Sequence, residues 1–236
     1  MFGKFKKRSL EPERLDTGDY TEQEYAKWQH EIRFIHKVFG ERRALRRCLL
    51  TEIRARGTRS VSILDVGAGS AGLLRALGRW MPDADKFLVG AELSADAAAS
   101  IKANSIDGGV KAVQCDALKL PFATDSFDYV FSTLFLHHLN DDQALQLLNE
   151  IGRVARERVF VIDLNRSIIA YYFYRVLGRL FLQRFTHEDG ALSILKSFRP
   201  NELSELAARS SLSEFKVERS AAYRLVLSGK KSGVIA

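Results

Sequence analysis

Val61-Ser-Ile-Leu-Asp65-Val-Gly67-Ala-Gly69-Ser-Ala71-Gly72 is the stretch whose reading decides the fold. Its first half is an apolar, β-branched run suited to a strand buried on both faces of a parallel sheet. Its second half is a glycine-rich turn that opens onto Leu73-Leu-Arg75-Ala-Leu77, a helical pattern. Strand, glycine turn and helix in succession aim bare backbone N–H groups and a helix N-terminus at a bound ligand, and glycine lets that backbone come close. The spacing Gly67-x-Gly69-x-x-Gly72 also fits the dinucleotide fingerprint, so the turn alone leaves the ligand open.

Asp65 separates the two readings. A carboxylate two positions before the first glycine repels a pyrophosphate and attracts a ligand that carries an amine and a sulfonium. Three further segments follow in order. Lys86-Phe-Leu-Val-Gly-Ala-Glu92 is an apolar strand ending in an acid, with Ser94 placed to cap the next helix. An acid there can accept from both hydroxyls of a ribose. Val110-Lys-Ala-Val-Gln-Cys-Asp116-Ala117 is a third strand ending in an acid. Leu120-Pro-Phe, Asp125-Ser-Phe-Asp128-Tyr-Val-Phe-Ser132 and Leu136-His137-His138-Leu139 then form a fourth strand and its lip.

Together these four motifs, across roughly residues 60–165, closely resemble those of class I S-adenosylmethionine (SAM) dependent methyltransferases acting on small molecules. The family usually has its third glycine where this chain has Ala71; here it is displaced to Gly72. The resemblance carries the cofactor site onto Asp65, Gly67, Ala68, Gly69, Glu92, Leu93, Asp116, Ala117 and Ser132, with Asp116 and the backbone after it receiving the adenine amino group. It implies a Rossmann-like α/β fold, a doubly wound and mostly parallel sheet with an antiparallel C-terminal edge. The order of strand and helix patterns agrees with a doubly wound sheet. The alternating segments Leu212–Glu218 and Ala222–Ser228 supply two final strands.

The 236 residues suffice for one domain with additions, and 46% hydrophobic content with four prolines fits a folded α/β protein. We divide the chain into a helical N-terminal extension, residues 1–57, and a methyltransferase domain, residues 58–236, with a lid insert at about 165–200. Residues 1–20 read as polar and loose. A helix from Thr21 to Phe39 carries a stripe of Tyr25, Trp28, Ile32, Ile35 and Val38, and a second runs through Ala44, Leu45, Cys48, Leu49 and Ile53 to Gly57. Arg33 and His36 read as ordinary helix-face residues. The separated Cys48 and Cys115 read as free thiols in a reducing cytoplasm, and no metal spacing is present. The opening Met1-Phe-Gly-Lys-Phe-Lys-Lys-Arg8 lacks the apolar core of a secretory signal. The net charge of +7 gathers at the N-terminus and after residue 150 without a nucleic-acid module, so a solvated face or transient contact with a membrane surface is expected, and nucleic acid is not.

Asn165 to Phe185 is the unusual insert. It is too short and too charged to span a bilayer, yet Ile168, Ile169, Tyr171, Tyr172, Phe173, Val176, Leu177, Leu180 and Phe181 leave little polar face. Core, substrate, a second copy in a homodimer, or a membrane are its available sinks. We read it as a lid, with Thr186-His-Glu-Asp-Gly190 as a hinge and Arg166, Tyr171, Tyr174 and His187 toward the substrate. His137 and His138 lie beyond the carboxyl end of the fourth strand, where crevice ligands bind, and imidazole suits a base for an oxygen nucleophile. The expected activity is O-methylation of a small lipophilic or phenolic acceptor, such as a polyketide or quinone precursor. Two rivals are an NAD(P)-binding oxidoreductase, which Asp65 and the lack of a Tyr-x-x-x-Lys pair disfavour, and a non-catalytic SAM-binding partner protein.

Overall fold

The structure is a computed structural model that describes residues 3–38, 40–105 and 109–231. The side chains of residues 36–38 and all of residue 39 lie outside that description, and with them His36, Val38 and the expected helix end at Phe39. Seven strands form one sheet: β1 (Ser60–Val66), β2 (Asp85–Glu92), β3 (Lys111–Gln114), β4 (Phe127–Thr133), β5 (Ala155–Leu164), β6 (Leu212–Ser220) and β7 (Arg224–Lys231), in the order β3-β2-β1-β4-β5-β7-β6. The first five are parallel; β7 runs antiparallel to β5, and β6 antiparallel to β7. This is the doubly wound sheet with an antiparallel edge. Both final strands begin or end a few residues from the expected limits, because Ala222 and Tyr223 take positive φ and make the hairpin turn.

Among the described residues ten α-helices surround the sheet: α1 (Arg14–Thr17), α2 (Glu22–Val38), α3 (Glu41–Leu45), α4 (Thr51–Arg56), α5 (Gly72–Trp80), α6 (Ala95–Ala103), α7 (Asp141–Val154), α8 (Ile168–Phe181), α9 (Arg184–Lys196) and α10 (Pro200–Arg209). A wide π turn, Arg46–Leu50, joins α3 to α4, so the helix expected before Gly57 is continuous. Side chains alternate across the pleat and divide the core into two layers. Leu64, Val66, Val130, Val159 and Val161 pack with α7 and α10 on one face. Ile63, Tyr129, Phe131, Phe160 and Ile162 pack with α3, α4, α5 and α6 on the other. The strand centres, such as Ile63-Leu64, Tyr129-Val-Phe131 and Val159-Phe-Val-Ile162, are apolar at successive positions because both faces are covered.

Two expectations fail at the periphery. Residues 3–20 are not loose. Phe5 is buried against Ala170, Tyr171, Ala191 and Ile194, and Arg8 binds the carbonyls of Leu139 and Lys196 at 2.7 Å each. The segment is a strap, held by a few buried anchors that a polar composition conceals. Thr186 to Gly190 is not a hinge, since it lies within α9. Gly190 there serves close packing: a Cβ would come 2.1 Å from the Tyr174 hydroxyl oxygen. The break between lid helices falls at Leu182–Gln183, where the Gln183 N–H donates to the Glu31 carboxylate at 3.1 Å.

Candidate active site

The parallel register brings the ends of β1, β2 and β4 together and sets the glycine turn over them. The backbone N–H groups of Gly67 and Ala68 donate to the Ala91 carbonyl at 3.0 and 3.1 Å, tying the turn to β2. Gly67 has φ +72°, and a Cβ there would meet the Phe135 ring at 2.8 Å, so glycine is required twice over. Ala71, where the resembling family has glycine, keeps the same left-handed conformation at φ 53° and caps α5.

A cleft of about 290 Å³ opens beside this turn, lined by Gly67, Ala91, Glu92, Leu93, Cys115, Asp116, Ala117, Leu118, Phe135, Leu139 and Gln143. It gathers five of the nine expected cofactor residues. Glu92 accepts from the Gly69 N–H at 2.8 Å and the Leu93 N–H at 2.9 Å, and each oxygen keeps a lone pair for a further donor. Asp116 accepts from the Leu118 N–H at 2.8 Å, which fixes its carboxylate at the rim. Asp65 is buried at the end of β1, and its Oδ1 has no hydrogen-bond partner. Burial, with the charge of Glu92 added, pushes its pKa well above the carboxylate range. A buried carboxyl without a partner is costly, and a cationic ligand would relieve that cost. Ser132 stands apart: its hydroxyl donates to the Val66 carbonyl at 2.7 Å, bracing β1 against β4. Phe135, Leu139 and Gln143 were not anticipated, since they reach the cleft only through the loop after β4 and the first turn of α7.

That loop also carries both histidines, on a short turn between the lining residues Phe135 and Leu139. His137 is buried; its Nδ1 lies 2.7 Å from Asp163 Oδ1, and its backbone N–H donates to Asp163 Oδ2 at 2.9 Å. Asp163, at the end of β5, therefore holds the ring from two sides. Burial drives the Asp163 carboxyl up, but the charge and hydrogen bonds of His137 outweigh it and hold the group below its ordinary range. His138 meets Asp16 of the strap at 3.1 Å. Burial opposes a proton on His138, yet the Asp16 hydrogen bond and the charge of Glu13 prevail and raise its pKa. Asp16 is likewise pushed up by burial and brought far down by His138 and Lys196.

Glu13 completes the knot. It is buried, with Oε1 4.0 Å from His137 Nε2 and 3.4 Å from Lys196 Nζ. Glu13, His137 and His138 each offer a ligand atom within 4.8 Å of the others. The Lys196 ammonium supplies positive charge between Glu13 and Asp16. None of Glu13, Asp16, Asp163 or Lys196 carries a motif that would flag it in the sequence.

The four residues expected to face substrate lie elsewhere. Arg166 is buried with its donors on the Phe5 carbonyl, the Ser197 carbonyl and Glu202, where it ties strap to lid. Tyr171 packs edge-on against Phe5 at 5.4 Å. The Tyr174 hydroxyl donates to the Thr186 carbonyl at 2.8 Å, and His187 Nε2 is 3.0 Å from the Arg175 carbonyl oxygen. These groups hold α8 to α9; they do not converge on the cleft.

Comparison with known proteins gives a domain match and a set of structures with the same fold. Residues 63–171 match a methyltransferase domain family. A demethylmenaquinone methyltransferase of Roseiflexus sp. (strain RS-1) is 36% identical over 93 residues, 39% of this chain and 37% of that protein. The match thus spans well under half of that relative. Among solved structures, the SAM-dependent methyltransferase from Aquifex aeolicus superposes with TM-score 0.55 at 14% identity, over 76% of this chain and 87% of that one. Magnesium protoporphyrin IX methyltransferase from Synechocystis PCC 6803, with bound SAH, gives 0.59 at 11% identity over 82% and 84%. The plantazolicin methyltransferase BpumL, in complex with a desmethyl analogue and SAH, gives 0.60 at 16% identity over 73% and 77%. The chain thus shares the fold of these SAM-dependent methyltransferases, and its residues 63–171 match a methyltransferase domain. The matched residues run from within β1 through β5 to the first turn of α8.

Proposed function

We propose that this chain transfers a methyl group from SAM to an oxygen of a small lipophilic or phenolic acceptor, with His137 as the base. The carrying observation is the doubly anchored His137–Asp163 pair, beside a cleft whose residues suit SAM. SAM supplies an electrophilic methyl group on a sulfonium, and the protein's part is placement, exclusion of water and removal of a proton. Asp65 offers a buried carboxyl to a cationic head, Glu92 two acceptors to a ribose, and Asp116 with Ala117 an acceptor and backbone to an adenine. Ala68 and Gly69 present the turn that lies against the methionine part, with Ser132 bracing the strand ends behind it.

With Nδ1 held by Asp163, His137 is fixed in the tautomer that leaves Nε2 free to take a proton. Glu13 sits 4.0 Å from that nitrogen, so the strap must withdraw for an acceptor to reach it. His138 acts through the strap, by its pairing with Asp16. A quinone precursor or polyketide fits the apolar lid, and the demethylmenaquinone methyltransferase similarity favours the former. The helical extension of residues 1–57 and the domain of residues 58–236 work as one unit, since strap and α9 together cover the histidines. Two free cysteines, Cys48 and Cys115, fit a cytoplasmic setting. Among the described residues no helix is long and apolar enough to cross a membrane. The outer lid face is left for a membrane surface or a second copy of the chain.

The test is turnover with SAM and a panel of phenols and quinols, with SAH affinity measured alongside. Replacing the base, His137→Gln, should lower turnover about 10²- to 10⁴-fold and leave SAH affinity within about threefold. An unchanged rate removes His137 from the chemistry.

A further inference from the structure

Helix α8 turns a greasy face outward. Ile169 is 67% exposed, Phe173 53%, Val176 63% and Leu180 69%, and Tyr172 and Phe181 add to them. At 3.6 residues per turn, 169, 172, 173, 176 and 180 fall on one side of the helix, opposite the buried Tyr171 and Gly178. A contiguous run of this kind marks an interaction surface, because a soluble surface ordinarily scatters such side chains.

The rim of the stripe is cationic. Arg175 and Arg179 are exposed on α8, and among the described residues neither forms an ion pair. The strap adds Lys4, Lys6 and Lys7, all exposed and all tethered to α8 through the buried Phe5. Lys4 Nζ lies 3.9 Å from the Tyr171 ring centroid and 5.5 Å from that of Tyr172. Helix α8 holds no acidic residue. Two carboxylates on neighbouring helices are engaged, Glu188 with Arg184 at 2.7 Å and Glu31 with the Gln183 N–H.

We infer that this face docks on an anionic phospholipid bilayer, with the apolar stripe at the level of the acyl chains and the lysines and arginines against the headgroups. Apolar anchors bordered by basic side chains are what an interfacial helix requires. A second copy is a poorer fit. In a two-fold contact each protomer presents the same patch, so Arg175 and Arg179 would face cations with no carboxylate on α8 to meet them. The assignment goes beyond methyl transfer and stands on the surface alone.

The experiment is flotation of the purified full-length protein with phosphatidylcholine vesicles, with and without phosphatidylglycerol, at low and high salt. Binding should be about tenfold or more stronger with phosphatidylglycerol and should weaken as salt screens the charges. The double variants Phe173→Asp with Val176→Asp, and Arg175→Glu with Arg179→Glu, should each lose about tenfold or more of that binding while SAH affinity is unchanged. Because no acceptor is involved, vesicle binding and methyl transfer can fail independently. Equal partition into both vesicles, no binding to either, or a concentration-dependent dimer abolished by Phe173→Asp would overturn the inference.

Discussion

The glycine-turn cleft and the histidine knot lie side by side, yet they are built in opposite ways. The cleft is made by backbone: Gly67, Ala68 and Gly69 donate N–H groups across adjacent strand ends, and its side chains sit where neighbouring parallel strands stop. The knot is made by side chains drawn from distant segments. Arg8 reaches carbonyls of residues 137 and 139, Asp16 reaches His138, and Lys196 reaches both Glu13 and Asp16. A backbone site tolerates exchange of side chains but not an added Cβ. A side-chain knot tolerates neither loss of a charge nor displacement of the strap.

The largest effect that would sharpen this contrast is expected in the knot. Lys196→Met leaves Glu13 buried without its cation, which should lower stability by about 3–5 kcal/mol in denaturant unfolding. Where the variant remains folded, SAH affinity should be retained; a loss matching that of the stability would show that knot and cleft are one unit. The cleft should fail differently. Gly67→Ala adds a Cβ against Phe135 in a left-handed conformation, and should weaken SAH binding by about 100-fold in calorimetry. Wild-type affinity there would refute the close approach of turn and ring.

The pH response should be milder and confined to the strap. His138 has a raised pKa, so its contribution to holding Asp16 is complete below its ordinary value of about 6.5 and disappears as pH rises through the raised one. Asp16 has a lowered pKa, so its contribution is present above about 4 and is lost only in strong acid. The strap should therefore be tightest between these limits. Hydrogen-exchange protection of residues 5–17, corrected for intrinsic rates, should fall as pH rises past the ordinary histidine value of about 6.5 and through the raised one. The variant His138→Asn should abolish that fall, while the glycine turn stays level in both. The smallest effect is predicted at Ala71. Relief of left-handed strain by Ala71→Gly is worth about 1–2 kcal/mol, and loss of a buried methyl costs about 0.8 kcal/mol. A net gain of about 0.2–1.2 kcal/mol in unfolding free energy is expected; a clear loss would mean that the methyl packing dominates.

The same division decides what could be read in advance. Strands β1, β2 and β4 were legible because each has a largely apolar centre, and burial on both faces demands that pattern. Asp65, Glu92 and Asp116 were legible because each is the acid at a strand's end. The lid insert was legible as apolar, but its partners were not. Tyr174 and His187 read as substrate residues, whereas contact with α9 takes up their polar atoms. Gly190 read as freedom and proved to be close packing against Tyr174. Asp163 gains its role only because the fold sets the end of β5 against His137.

The sequence by itself determined the parallel sheet, the glycine turn and the acids around it, because local hydrophobic period and backbone geometry depend on neighbours along the chain. Only the tertiary structure decided which histidine is oriented, what the strap covers and which face of α8 is left bare. Those outcomes rest on charges and rings 26 to more than a hundred residues apart, whose energies exist only once burial has removed the water between them.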